Sequence, residues 1–122
     1  MLKITSLKLT INLEPVALGR PRVTARGTFL PKRSQQFRED FQMLLRASFH
    51  EQPLTAPLSV TLHFYKPVKT IAPKFGDIDN LEKAVLDACN GILWLDDRQI
   101  VEMHSHKHKG AGKIILEVTE CI

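Results

Sequence analysis

The segment Leu58–Tyr65 alternates without a break, with Leu58, Val60, Leu62 and Phe64 on one side and Ser59, Thr61, His63 and Tyr65 on the other. That period of two belongs to a β-strand with one covered and one open face. A chain that contains it must also supply something apolar to lie over the strand. Two stretches of helical period do so. Phe37, Phe41, Leu44, Leu45 and Ser48 predict a helix over 35–49, with Ser34 as its N-cap and Pro53 and Pro57 ending it. Leu81, Ala84, Val85 and Ala88 predict a second helix from Asn80 to Cys89, stopped by Asn90-Gly91.

Three further strands are expected. Residues 4–13 place Leu7, Leu9, Ile11 and Leu13 on one face, residues 99–106 follow the second helix, and residues 113–119 carry Ile114, Leu116 and Val118. Lys109-Gly110-Ala111-Gly112 is turn chemistry between the last two. Residues 14–33, punctuated by Pro15, Gly19, Pro21, Gly27 and Pro31, read as a loop with a short hairpin around Arg26-Gly27. Residues 66–77, with Pro67, Pro73 and Gly76, read as a second loop. The order β, loop, α, β, α, β, β predicts an α/β (α+β) single domain over 1–122, one mixed sheet packed by two main helices.

Composition narrows the class. With 43 % hydrophobic and 25 % charged residues, the chain has the balance of a soluble globular domain, and 122 residues suffice for one core. No apolar run is long enough to cross a bilayer, so no membrane partner is expected, and the alternating start MLKITSLKLTINLEP is unlike a secretory signal. Cys89 and Cys121 lack metal-site spacing, which predicts unreactive thiols in a reducing cytosol and hence a cytoplasmic protein. The net charge of +4 and a pI of about 9.3 fit a nucleic-acid partner. The cations are grouped: Arg20, Arg22, Arg26, Lys32 and Arg33 early, Lys66, Lys69 and Lys74 in the middle, Lys107, Lys109 and Lys113 late.

The sharpest chemical feature is Asp77-Ile-Asp79-Asn80-Leu81-Glu82-Lys83. An extended Asp-x-Asp points both carboxylates the same way, and two negative charges held together invite a hard divalent cation such as Mg²⁺. Lys83 follows Asp79 by four, on the same helical face, where its ammonium could reach a phosphate beside the ion. The alternative is that Asp79 caps the helix, with Glu82 completing a capping box. Trp94-Leu95-Asp96-Asp97-Arg98-Gln99-Ile100 supplies two more carboxylates, which in an extended segment face opposite ways and so take different roles, or else are plain turn residues. His104, His106 and His108 would share one strand face; an open polar face fits them better than a Zn²⁺ site, because no partner ligand stands at metal spacing.

Together these segments resemble the RusA family of Holliday junction resolvases. Gly19-Arg20-Pro21-Arg22 with Lys32 is similar to the family's early basic segment, Asp77–Lys83 to its D-x-D-N-x-x-K motif, and Trp94–Ile100 to its W-x-D-D-x-Q-[IV] motif. The resemblance implies a homodimeric endonuclease that binds four-way DNA junctions and uses Mg²⁺ or Mn²⁺. It implies Asp77, Asp79 and Asp97 as catalytic carboxylates and metal ligands, and Lys83 as the catalytic lysine. Arg20, Arg22, Lys32, Arg33, Lys69, Lys74 and Lys107 are the expected DNA contacts. A non-catalytic branched-DNA-binding module and a general metallo-phosphodiesterase are the alternatives.

Overall fold

The computed structural model describes residues 6–71 and 75–121. Six strands and two helices follow one another as β1 (Ser6–Ile11), β2 (Arg22–Thr24), β3 (Gly27–Phe29), α1 (Lys32–Ser48), β4 (Leu58–Lys66), α2 (Ile78–Cys89), β5 (Ile100–Lys109) and β6 (Lys113–Glu120), with one turn of 3₁₀ helix at Asp97–Gln99 before β5. The main sheet has the order β1-β6-β4-β5. Pairing is antiparallel at β1–β6 and β6–β4 but parallel at β4–β5. The mixed sheet and two helices of the expected fold class are therefore present in a single chain.

The alternation of β4 does what its period requires. Leu58, Val60, Leu62 and Phe64 are fully buried, next to Ile114, Leu116 and Val118 of β6. Phe37, Phe41 and Leu45 of α1 and Leu81, Ala84, Val85 and Ala88 of α2 close over them in one apolar cluster. Both helices thus lie on one face of the sheet. The opposite face keeps Thr61, His63 and Tyr65 beside His104, His106 and His108. Among the described residues no helix is long and apolar enough to cross a membrane.

Several boundaries differ from the expected ones. Helix α1 starts at Lys32, behind Pro31 in the N-cap position with φ −55° and ψ 149°. Proline's fixed φ suits the approach to a helix, and it has no N–H to leave unsatisfied there. Ser34 is therefore inside the first turn and is not the cap. It is buried, and its Oγ accepts the N–H of Gly19 at 3.0 Å. Helix α2 starts at Ile78, two residues early. Its stop at Asn90-Gly91 is a type II turn: Asn90 has φ −61° and ψ 127°, Gly91 has φ +82°, and the Ile92 N–H donates to the Cys89 carbonyl at 3.1 Å. The hairpin expected at Arg26-Gly27 is β2–β3, with Gly27 at φ +124°. Residues 4 and 5 of the first expected strand, and Lys74, lie outside the described residues.

Replacing Ser34 with Ala leaves the part-buried Gly19 N–H without its acceptor. The expected loss is about 1–3 kcal/mol of unfolding free energy, read from urea denaturation.

Candidate active site

The two acidic motifs sit at the two ends of α2, and each is built by identifiable contacts. At the N-terminal end the chain enters through Gly76, whose φ of +103° favours glycine. A side chain there would begin 3.2 Å from the Ala17 Cβ, so the segment before β2 packs directly on the approach to the helix. The Leu18 N–H donates to the Asn80 carbonyl at 3.0 Å and ties the same segment to the first turn of α2.

Asp77 occupies the N-cap position with extended dihedrals, and Asp79 lies in the first helical turn. The pair is thus not an extended Asp-x-Asp, because Ile78 and Asp79 are already helical. The capping alternative fails as well. The N-cap residue is Asp77, and its side chain makes no cap hydrogen bond. Glu82 is turned to the sheet, where it accepts from the Ser105 hydroxyl. Asp77 and Asp79 are both exposed, and neither side chain has a hydrogen-bond or ion-pair partner among the described residues. Their carboxylate oxygens are not used to hold the fold, and they stand where the helix dipole favours negative charge.

Cations stand on the approach to this end and along the helix. Lys83 is exposed and four residues along the same helix face from Asp79. Lys66 donates from Nζ to the Phe75 carbonyl at 3.3 Å and lies 5.7 Å from that ring's centre; Lys107 approaches the same ring at 5.6 Å. A groove of about 350 Å³ beside them is lined by Arg33, Lys66, Phe75, Gly76, Gly19 and Val16. It brings the early and middle basic groups together next to Asp77. Arg20, Arg22, Lys32 and Lys69 are exposed. Lys66, expected from sequence in the loop 66–77 with the middle basic group, is instead the last residue of β4, and tertiary packing sets its ammonium at Phe75, two residues before Asp77.

The second motif resolves into separate jobs. Trp94 is fully buried and donates from Nε1 to Asn90 Oδ1 at 2.8 Å. Asp96 caps the 3₁₀ turn: its Oδ1 accepts the Arg98 N–H at 2.9 Å, while its own N–H donates to Gln99 Oε1 at 2.9 Å. The Arg98 backbone N–H, then the Arg98 charge, hold the Asp96 carboxyl below the ordinary carboxylate range. Gln99 also donates from Nε2 to the carbonyls of Leu54 and Ala56 at 2.9 and 3.0 Å. Asp97 alone is left over, with Asn90 Nδ2 donating to its Oδ2 at 3.5 Å. The neighbours do take different roles, but through a capped turn and not through a strand.

Asp97 stands at the C-terminal end of α2 and Asp77 at the N-terminal end. Twelve residues of helix rise roughly 18 Å, so one chain does not bring the third carboxylate to the other two. Among the described residues no three acidic, histidine or cysteine side chains are close enough to hold a metal ion. That includes the histidines of the open face, although they do cluster: His63 Nδ1 and His108 Nε2 are 2.9 Å apart, and His106 stacks on His63 at 5.0 Å. Cys89 is fully buried, and burial pushes its thiol pKa up, in keeping with an unreactive role.

Known proteins match this chain over most of its length. A family model described as Endodeoxyribonuclease RusA matches residues 12–119. The uncharacterized protein YqaN of Bacillus subtilis (strain 168) is 30 % identical, over 83 % of this chain and 86 % of its own length. The crossover junction endodeoxyribonucleases RusA of Enterobacteria phage 82 and of Escherichia coli (strain K12) are each 29 % identical, over 84 % of this chain and 78 % of theirs.

The division of labour at the second motif is testable by stability alone. Asp96→Ala lowers the thermal midpoint at neutral pH, whereas Asp97→Asn leaves it unchanged. Because the folded turn favours the Asp96 carboxylate, the difference between Asp96→Ala and the parent protein is full above about pH 4, the ordinary Asp range, and disappears as the pH falls below it.

Proposed function

The chain belongs to the RusA endodeoxyribonuclease family, and from that premise we propose that it is a Mg²⁺- or Mn²⁺-dependent crossover junction endonuclease of the cytoplasm. It resolves four-way DNA junctions by paired, symmetric phosphodiester hydrolysis in recombination and repair. The observation that carries this reading is the pair Asp77 and Asp79, exposed at a helix N-terminus with side chains unused by the fold, with Lys83 one turn along the helix from Asp79 and Lys66 and Lys107 at the ring of Phe75, two residues before Asp77. Exposed carboxylate oxygens without protein partners suit a hard cation that keeps several waters.

Asp77, Asp79 and Asp97 are the proposed ligands. The ion, when bound, supplies Lewis acidity at the scissile phosphate. Lys83 places an ammonium against the negative charge that grows on the phosphate oxygens as the bond breaks. Asn90 fixes the direction of Asp97 by its amide hydrogen bond. Arg20, Arg22, Lys32, Arg33, Lys66, Lys69, Lys74 and Lys107 hold flanking phosphates, which makes binding steeply salt-dependent.

The third carboxylate is proposed to come from a second copy. Two chains related by a two-fold axis with their α2 helices antiparallel would bring Asp97 of each copy toward Asp77 and Asp79 of the other, and would do so twice. Two sites are what a pair of symmetric cuts needs. The separation of Asp97 from the pair within one chain also suits a non-catalytic DNA-binding module, so nicking decides between them.

With Mg²⁺ present, a synthetic four-way junction is expected to be cut, and a linear duplex and a chromogenic phosphodiester are not; failure to cut the junction rejects the enzyme reading. Asp79→Asn abolishes cutting and retains junction binding in a gel-shift assay. Lys83→Ala lowers turnover by about a hundredfold or more with little change in affinity. Mixing Asp79→Asn with Asp97→Asn subunits restores nicking, because a mixed dimer keeps one intact shared site. Sites contained within single chains would stay dead in the mixture.

A further inference from the structure

The β2–β3 hairpin contributes nothing to the core. All six of its residues are exposed, with Val23 at 83 % and Phe29 at 49 %. It is held by its own strand pairing and by the Thr24 side chain, whose Oγ1 donates to the Gly27 carbonyl and accepts the Arg26 N–H, both at 3.2 Å. The register pairs Arg22 with Phe29 and Thr24 with Gly27, so Arg22, Thr24 and Phe29 share one face. That face and the first turn of α1 enclose a groove of about 540 Å³, lined by Arg22, Thr24, Phe29, Leu30, Lys32 and Gln35. Gln35 stiffens its wall by donating from Nε2 to the Leu30 carbonyl at 2.6 Å.

The chemistry of this groove is uneven in a useful way. Two cations stand in its lining, no acidic residue is among the lining residues, and a half-exposed aromatic ring and a leucine supply the apolar part. Its volume falls in the range of small-ligand sites, about 300–1,000 Å³. A paired base inside a duplex cannot reach such a ring, whereas a nucleotide out of the stack can place its base on the ring and its phosphate between the cations. Branch points, where helical stacking is interrupted, are where a DNA junction can offer one.

We propose that the groove between the β2–β3 hairpin and α1 takes one unstacked nucleotide from the branch point of junction DNA, with Phe29 stacking on the base and Arg22 and Lys32 holding its phosphates. This rests on the junction-binding reading above and adds the residue that separates branched from linear DNA. Phe29 acts on recognition and is not catalytic.

The test measures dissociation constants in the Asp79→Asn background for a four-way junction and a linear duplex of the same sequence. Phe29→Ser is expected to weaken junction binding about tenfold and to leave duplex binding unchanged, with Phe29→Trp restoring the junction value. 2-Aminopurine placed at the branch point should change fluorescence with the Asp79→Asn protein carrying native Phe29 or Phe29→Trp, and not with Phe29→Ser. Equal loss on both DNAs, no loss on either, or no rescue by Trp overturns the proposal while the junction endonuclease reading stands. If the Asp79→Asn protein itself shows no preference for the junction, both readings fail. An unchanged thermal midpoint for Phe29→Ser confirms that the comparison is between folded proteins, as expected for a residue outside the core.

Discussion

Strands β4 and β5 run side by side in the same direction, and parallel neighbours cannot be joined by a tight turn. The chain must travel back the length of the sheet before β5 can begin, and α2 is that return path. Its first turn therefore lies past the carboxyl end of β4 and its last turn near the start of β5. Each acidic motif is placed by this one constraint. In parallel arrangements the space beyond the carboxyl ends of the strands is where ligands collect, and that is where Asp77 and Asp79 stand with Lys66 and Lys107.

The second motif illustrates how few residues of a recognisable pattern need touch chemistry. Trp94 plugs the core, Asp96 and Gln99 exchange capping hydrogen bonds, and Gln99 reaches back to the segment before β4. Their combined effect is to hold a tight turn in which Asp97 is the one carboxylate with no structural duty beyond a long contact with Asn90. Asn90 itself is placed twice over, capping α2 and accepting from Trp94, so its amide can point only one way.

Much of this was legible along the chain and some was not. The alternation of Leu58–Tyr65 and the stripe Leu81–Ala88 are local signals, and the elements they predict are present. The acidic residues of both motifs were also visible, since their spacing does not depend on what folds against them. The role of Ser34 was hidden because the group it accepts from, the Gly19 N–H, is a donor fifteen residues away and not one in the helix's own first turn. The parallel direction of β5 was hidden for the same reason: period two fixes which face is covered, never which neighbour a strand takes. Hence the distance between Asp77 and Asp97 could not be read from sequence, although both residues could.

The position of β5 at the rim of the sheet carries a consequence of its own. A rim strand exposes unpaired backbone groups that invite further strands to add on, the first step toward uncontrolled aggregation. Here that rim is studded with Glu102, His104, Lys107 and Lys109, gatekeeping side chains that make continuous strand addition electrostatically costly. The opposite rim, β1, carries Lys8. Self-association of this protein is thereby steered away from backbone zippering and toward surfaces that meet through side chains.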